Sequence, residues 1–340
     1  MNNIKQLDIA KELNISRITV SKALRNHPDI SESMKIKVKK MAEKMGYFPN
    51  LVAQNLISGK SNTIGVVIPD LENSFFAYAT DTIIDVAFGK NYTVFVTVSR
   101  ENSQNEIDNI QKLIGMRVDG ILVCVSKDTR DSKIFEKIKE IGIPLVFFDR
   151  QIEKLNVSSI VFDDRYGAIH TLDKIIDEGY KKIAHFAGYQ TTNIGRERCL
   201  GYKHALNKHG LKIKEEWILE GGFEIDDGVR SFMKLYKEKK LPEIILAVND
   251  LVALGIYRAA RNVGIRIPDD IGIVAYGFCE TASLFSPTLS VINQDPRVIG
   301  RMTIEMLLNE IELKNNQHIN LKIIEDFIWN DSLKRLKATK

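Results

Sequence analysis

The sequence predicts an α/β protein whose body is a doubly wound parallel sheet in two lobes, preceded by a small all-α N-terminal domain. The chain has 340 residues, which is enough for two or three domains. From residue 63 onward, short apolar runs alternate with helical stretches, a pattern typical of parallel strands joined by helices. Charge is uneven: residues 1–60 hold 11 Lys/Arg against 5 Asp/Glu, and the remaining residues hold 37 against 39. The basic N-terminal part indicates a polyanion-binding domain on a neutral body.

The first helix of the N-terminal domain is predicted from a spacing of three residues. Ile4, Leu7, Ala10 and Leu13 form one apolar stripe on this interpretation. Asn14 follows the stripe and is suited to the left-handed turn that ends a helix.

Two further helices follow, each with a serine at its start. Ser16 is placed to cap a helix from Arg17 to Arg25, and Ser31 to cap a third helix that Gly46 ends. The inward residues of these two helices are predicted to be Val20, Ala23 and Leu24 in the second, and Met34, Val38, Met41, Ala42 and Met45 in the third. The outward face of the second helix carries Arg17, Ile18, Ser21, Lys22 and Arg25.

Two helices joined by a tight turn, with a polar and basic face on the second, predict a helix-turn-helix that reads the major groove of double-stranded DNA. Arg17 and Lys22 can donate to guanine, and the outward Ile18 can contact a thymine methyl group. Ser16, Thr19, Ser21 and Asn26 are predicted to bind DNA phosphates, contacts that would set the register of the protein on the duplex. The alternative is a plain three-helix bundle with a solvated charged face.

The segment VAQNLISGK at 52–60 stands where a linker is expected, yet it is apolar and helical in pattern. Leu51, Val52, Leu56 and Ile57 have no reason to occur in a solvated linker. A helix this short is only marginally stable in water. The alternative is a flexible linker with incidental apolar residues.

The body is predicted to contain eight strands and eight helices. The apolar runs are TIGVVIP, TVFVTV, DGILVCV, PLVFFD, SSIVF, KKIAHFAG, EIILAV and IGIVAY. The helices are predicted near 75–89, 104–115, 131–141, 164–178, 196–209, 226–238, 250–263 and 295–312. Sheets of this kind bind ligands beyond the carboxyl ends of their strands, where this sequence places polar residues.

These motifs resemble the LacI/GalR family of bacterial transcription repressors over essentially the whole chain. The matching residues are Ile15-Ser16, Thr19-Val20-Ser21-Lys22, Leu24 and the block from Gly46 to Asn50. Arg25 replaces the asparagine usual in the family. The resemblance implies an effector-responsive repressor that binds a pseudo-palindromic operator as a homodimer. The tail LKRLKATK is too short for the bundle that makes some members tetramers.

The resemblance also implies a domain organisation. Residues 1–48 are the DNA-binding domain, 49–60 a hinge helix, and 61–340 the domain for effector binding and dimerisation. The body then resembles periplasmic sugar-binding proteins, with lobes at about 61–160 plus 293–318 and about 161–290 plus 319–335. The chain would cross between lobes near 159–163, 289–294 and 316–322. In the hinge, Asn50, Ala53 and Leu56 are expected to contact DNA, with Leu56 as a wedge in the minor groove.

The effector, a sugar or sugar derivative by resemblance, is expected between the lobes. Its candidate ligands are Asn73, Phe75, Phe76, Asp149, Arg198, Asn249, Gly277, Phe278 and Gln294. Other roles remain open: a helix-surface ion pair for Arg198, a turn for Asp149, core packing for the two phenylalanines, and a helix cap for Asp250. The family usually has two aspartates where this chain has Gly277-Phe278, so an acceptor is replaced by an aromatic surface.

Other functional classes lack their signatures. Phosphate-binding, nucleophile-elbow and dinucleotide motifs are absent, which argues against an enzyme or a bound cofactor. Cys199, His204 and His209 are spaced by five residues and fall on different helix faces, so no metal is expected. A signal peptide and a membrane-spanning run are also absent, which predicts a cytoplasmic protein, nucleoid-associated when bound to its operator. The alternatives are a transport solute-binding protein, which leaves the basic domain unexplained, and a sugar-processing enzyme.

Overall fold

The computed structural model describes residues 4–48, 60–313 and 318–336. It divides the chain into two compact units, Met1–Ser61 and Asn62–Lys340. The predicted hinge helix, with Asn50, Ala53 and Leu56, lies outside the described residues.

The N-terminal unit contains three helices: α1 Gln6–Glu12, α2 Arg17–Leu24 and α3 Glu32–Met45. The Ser16 hydroxyl accepts the Thr19 N–H at 3.0 Å, so this serine caps α2 as predicted. Gly46 ends α3 in the left-handed conformation at φ 68°. The helices close over a small core of Ile9, Ala10, Val20, Ala23, Val38 and Ala42.

The predicted inward face of α1 is wrong at one position. Leu7 is 48% exposed, and Ile9 is fully buried in its place. A step of three residues turns an α-helix by about 300°, so a strict three-residue stripe drifts around the surface. The buried face is therefore centred between Ile9, Ala10 and Leu13.

The larger unit is built on two six-stranded sheets. The first has the order β11-β5-β4-β3-β1-β2 and is parallel throughout. Its strands are β1 Thr63–Ile68, β2 Thr93–Val98, β3 Gly120–Val123, β4 Leu145–Phe148, β5 Ser158–Phe162 and β11 Asn320–Ile323. Its helices are α4 Ser74–Gly89, α5 Ser103–Gly115, α6 Lys133–Glu140 and α12 Pro296–Leu313.

The second sheet has the order β12-β10-β9-β8-β6-β7, and only its β10–β12 pair is antiparallel. Its strands are β6 Ile183–Ala187, β7 Ile218–Glu220, β8 Ile244–Ala247, β9 Gly272–Gly277, β10 Ser290–Asn293 and β12 Asp326–Ile328. Its helices are α7 Asp164–Glu178, α8 Asn193–Lys208, α9 Ile225–Lys237, α10 Asp250–Asn262 and the single turn α11 Cys279–Ala282. The central strands are buried on both faces, as expected for parallel strands covered by helices.

The chain passes between the two sheets three times, after β5, after β10 and between β11 and β12. The third crossing was predicted at 316–322, with the second lobe resuming at 319. It falls instead at 324–325, because β11 pairs with β5 in the first sheet, Asn320 opposite Ser159. The eight predicted strands are all present, and the short strands β7, β10, β11 and β12 were not predicted. In the three described ranges, no helix is long and apolar enough to cross a membrane.

Candidate functional site: the cleft between the two sheets

All nine residues predicted to bind an effector line one cleft. The first sheet supplies Asn73, Phe75 and Phe76 from the start of α4, and Asp149 from the end of β4. The second sheet supplies Arg198 from α8, and Asn249, Gly277, Phe278 and Gln294 from the ends of β8, β9 and β10. The cleft thus lies at the carboxyl ends of strands from both sheets, where α/β proteins bind their ligands.

Arg198 is held in the wall of the cleft by four groups. It is 3% exposed, so it is not part of a helix-surface ion pair. Its Nε donates to Asp164 Oδ1 at 2.8 Å and its Nη2 to Gln294 Oε1 at 2.9 Å, while Nη1 donates to the Val248 carbonyl. The guanidinium stacks on the Tyr276 ring, 4.0 Å from its centre. Its orientation is therefore fixed before any ligand arrives.

The Arg198 network includes one residue from each of the three crossings between the sheets. Asp164 follows the first crossing, Gln294 the second, and Glu325 lies in the third. The Gln294 amide donates to both Asp164 Oδ1 and Glu325 Oε1. All three side chains are buried. The connections between the sheets are thus tied together in one polar cluster beside the cleft.

Both carboxyl groups of this cluster have pKa values above their ordinary range. Burial raises the pKa of Glu325 to about 8, helped by the neighbouring Asp164. Burial also raises the pKa of Asp164 to about 6, against the opposing effect of Arg198. Because Arg198 donates directly to Asp164, the pKa of Asp164 is raised less than that of Glu325. Gly167 makes room for this group, since a methyl there would lie 2.6 Å from Glu325 Oε2.

Asp149 occupies a strained position at the edge of the cleft. Its φ is 59°, in the left-handed region that few residues other than glycine adopt, and it is 5% exposed. Cys124 Sγ donates to its Oδ2 at 3.7 Å, and burial raises the pKa of its carboxyl group. Asn193 from α8 donates to its carbonyl at 3.1 Å. Asp149 thus shapes the turn and also presents its side chain to the cleft.

The cap of α10 differs from the prediction. Asn249, not Asp250, caps this helix, with its Oδ1 accepting the Val252 N–H at 2.8 Å. The Asn249 amide also donates to the Phe223 carbonyl at 2.8 Å. Asp250 is the first helical residue and accepts from the Thr281 hydroxyl at 2.9 Å. Asn249 has the extended backbone that a capping residue requires.

Aromatic rings line much of the cleft. Phe76 is 3% exposed and belongs to the core of the first sheet, whereas Phe75 is half-buried. Phe278 takes the corner where the family usually has an aspartate. Its ring meets Tyr78 at 5.9 Å, and the Arg297 guanidinium lies 5.1 Å from it. The Phe278 ring is thus part of the aromatic lining of the cleft.

Eight residues of the cleft wall were not among the predicted ligands. They are Ser74, Tyr78, Arg150, Ile194, Phe223, Asp250, Tyr276 and Pro296. Four of them, Ser74, Arg150, Asp250 and Tyr276, stand next to a predicted ligand in the sequence, so their neighbours could have pointed to them. Phe223 follows β7, whose three residues gave no signal. Asp164 and Glu325 were also missed, because only the folded chain brings the crossings together.

The predicted DNA-binding residues lie along α2 and its two turns. Arg17 and Ile18 are exposed, Ile18 at 69%, while Thr19, Ser21 and Lys22 are half-buried. Lys22 Nζ pairs with Asp29 Oδ2 at 2.7 Å. The Arg25 guanidinium donates to the Ser21 hydroxyl at 3.2 Å. Asn26 ends the helix in the left-handed conformation at φ 55°. Across the described residues, no group of His, Cys, Asp and Glu could hold a metal ion.

Two family models match the chain. Residues 6–50 match "Bacterial regulatory proteins, lacI family", and residues 61–331 match "Periplasmic binding proteins and sugar binding domain of LacI family". Among curated relatives, catabolite control protein A of Priestia megaterium is 30% identical over 95% of this chain and 96% of its own. The probable transcriptional repressor ExuR of Bacillus subtilis is 31% identical over 97% and 98%.

Solved structures share the fold. The Lac repressor dimer bound to operator and an anti-inducer superposes with a TM-score of 0.88 at 24% identity, covering 98% of this chain and all of that one. The complex of the regulator CelR with cellobiose gives 0.74 at 23% identity, covering 97% and all of its chain.

Proposed function

Because this chain belongs to the LacI family of bacterial regulatory proteins, we propose that it is a transcriptional repressor whose DNA binding a small molecule controls. It binds a pseudo-palindromic operator as a homodimer, and a sugar or sugar derivative in the cleft changes its affinity for DNA. The convergence of all nine predicted ligand positions in one cleft carries the effector part of this proposal. No catalytic activity and no cofactor is assigned to the cleft. The protein acts in the cytoplasm, at the nucleoid when bound to its operator.

The DNA contacts are assigned to α2. Arg17 and Ile18 extend from its exposed face and read base edges, while Ser16, Thr19, Ser21 and Asn26 contact phosphates. Lys22 is paired with Asp29 in the free protein, so on DNA it must exchange this carboxylate for a phosphate or a base. That exchange takes place at the protein surface, where solvent screens an ion pair and makes it weak.

The division of labour follows the predicted domains. Residues 1–48 bind the major groove, 49–60 form the hinge, and 61–340 bind the effector and the second copy of the chain. In the hinge we assign Asn50, Ala53 and Leu56 to DNA contacts, with Leu56 inserted between base steps in the minor groove. A short helix that folds only when two copies meet on DNA couples the cleft to the operator.

The effector ligands are assigned to both lobes. Asn73, Phe75, Phe76 and Asp149 contact it from the first, and Arg198, Asn249, Gly277, Phe278 and Gln294 from the second. A ligand bound by both lobes stabilises one angle between them, which is the coupling this proposal requires.

Selection of duplexes from a random pool by the purified full-length protein tests the regulator. We expect enrichment of a pseudo-palindrome that is bound at least about 10³-fold more tightly than random DNA, with affinity falling steeply with salt. Fluorescence anisotropy with the selected duplex and with random DNA measures the ratio of affinities and its dependence on salt. A transport solute-binding protein would enrich no sequence, and that result would refute the proposal.

A further inference from the structure

The positive charges of the cleft are already neutralised by the chain itself. Arg150, 4% exposed, donates from Nη1 to both carboxylate oxygens of Glu101, at 2.8 and 2.9 Å. Arg198 is paired with Asp164, and Arg297, beside the aromatic corner, with Glu280 at 2.7 Å. None of these guanidinium groups is left to neutralise a charged ligand.

The balance of charge in the cleft wall points the same way. Over the described residues, the wall holds no lysine, no histidine and only the arginines Arg150 and Arg198. Four carboxyl groups lie on or directly behind it: Glu101, Asp149, Asp164 and Asp250. Within the wall itself Asp149 and Asp250 match the two arginines in number, and Glu101 and Asp164 bond those arginines from behind. An anionic ligand would therefore enter a site whose cations are already paired with carboxyl groups, which disfavours it electrostatically.

One polar group of the wall makes no hydrogen bond, although it lies within ion-pair distance of a carboxylate. The Nε of Arg150 is buried and makes no hydrogen bond within the described chain. It lies 3.9 Å from Asp149 Oδ2, and the guanidinium sits near the rings of Phe76 and Phe223, 5.8 and 5.2 Å from their centres. A buried N–H without an acceptor costs about 1–3 kcal/mol. A ligand oxygen that accepts from this donor removes that cost.

Glu101 lies in a strained stretch of backbone. Arg100 and Glu101 follow β2 with φ of 53° and 56°, two consecutive left-handed residues that are not glycine. Such strain persists where the surrounding structure enforces it, and it is concentrated at functional sites. The second Glu101 oxygen also accepts the Lys127 N–H at 2.8 Å. The strained backbone and the Lys127 N–H therefore both hold the Glu101 carboxylate against Arg150.

We propose that the effector is an uncharged molecule with an oxygen acceptor for Arg150 and a flat apolar face for the aromatic rings, and that Glu101 excludes anionic analogues. This inference rests on the proposed function only in treating the cleft as the effector site. The acceptor is a hydroxyl or carbonyl oxygen. Phosphorylated and carboxylated sugars are rejected because Glu101 already occupies the cation they need.

The variant Glu101→Gln tests this role directly, because glutamine keeps the shape and an acceptor for Lys127 but removes the charge. With inorganic phosphate and glucose 6-phosphate as probes at low salt, thermal shift and calorimetry should detect no saturable binding to the wild type. We expect Glu101→Gln to bind them saturably, with a dissociation constant at least about tenfold below the highest concentration at which the wild type shows no binding. The double variant Glu101→Gln/Arg150→Gln should lose this gain.

The matched control is Glu197→Gln. Glu197 is similarly accessible, 21% against 24% for Glu101, and pairs with Arg165 at 2.8 Å outside the cleft. It should gain no anion binding. If Glu101→Gln gains none either, or if the wild type binds the phosphates in a manner that Arg150→Gln abolishes, the proposal is wrong.

The wild-type protein provides a second test of charge selection that does not depend on the variant. If Glu101→Gln fails to fold, as judged by circular dichroism, the wild type decides. Stabilisation by neutral glucose or its aryl glycosides without stabilisation by glucose 6-phosphate or glucuronate supports the proposal, and the reverse pattern overturns it. No DNA takes part in this test, so failure of the operator selection and failure of the charge selection are distinguishable.

Discussion

Ile18 is a side chain whose position the stability of the N-terminal unit does not explain. It lies on α2, between the exposed Arg17 and the half-buried Thr19, and is itself 69% exposed. The small core beneath α2 is complete without it. If α2 is the recognition helix proposed above, Ile18 is placed to contact a thymine methyl group.

Replacing Ile18 with serine should therefore weaken recognition without unfolding the domain. We expect the preference for the selected operator over random DNA to fall by about 1–3 kcal/mol, or roughly fivefold to 150-fold. Urea unfolding should be unchanged within about 0.5 kcal/mol. Ile36→Ser, at a 52% exposed position on α3, is the control. Equal loss of preference in both variants would contradict the role of Ile18.

At the scale of elements, α9 and α10 pack unusually closely. A methyl group at Gly228 would overlap the carbonyl oxygen of Val252, and one at Gly255 would overlap that of Ile225. The two glycines let the backbones of the helices touch. Since Asn249 caps α10, this contact also sets where the cap enters the cleft.

Gly255→Ala should force the two helices apart. We expect it to cost about 1–3 kcal/mol or more in the free energy of unfolding, because overpacking a close backbone contact requires the helices to shift. Gly115→Ala is the control, because nothing lies within 4 Å of the added methyl group at the end of α5. Denaturant titration measures both. A cost no greater than that of the control would show that the helices can separate freely.

The elements also show what sequence patterns can predict. Strands β1, β3 and β4 were predicted because each is a continuous apolar run buried on both faces. Strands β7, β11 and β12 have three or four residues and are partly exposed, so no such run marks them. The cleft residues were predicted from their resemblance to the motifs of a known family, and all but Arg198 lie close to the ends of strands. Asp164 and Glu325 were not predicted, since their meeting depends on the three crossings.

At the scale of the whole molecule, the buried cluster at the crossings links folding to pH. Glu325 faces Asp163, Asp164, Arg198 and Gln294, and burial raises its pKa to about 8. The folded chain thus holds a proton that the unfolded chain releases above about pH 4.5. Stability from this group is complete below that pH and is lost as pH rises toward 8.

Glu325→Gln mimics the protonated acid and should remove this dependence. Between about pH 5 and 8, we expect the free energy of unfolding of the wild type to fall relative to the variant, by at most about 1.4 kcal/mol per pH unit. Urea titrations at several pH values give the difference. Glu216→Gln, at an exposed position, should run parallel to the wild type. If the free energy of unfolding of Glu325→Gln changes with pH as that of the wild type does, Glu325 is ionised in the folded protein over this pH range, and the prediction is wrong.

The shared cluster of Asp164, Gln294 and Glu325 also sets a condition for engineering. Each crossing contributes one side chain to it. A chimera whose junctions lie at the boundary between the lobes therefore separates residues that are hydrogen-bonded to one another. Chimeras that take one lobe from a relative would leave buried polar groups unmatched unless all three residues come from the same parent. Recombination among these repressors would then preserve the three positions as one inherited set, although they stand far apart in the gene.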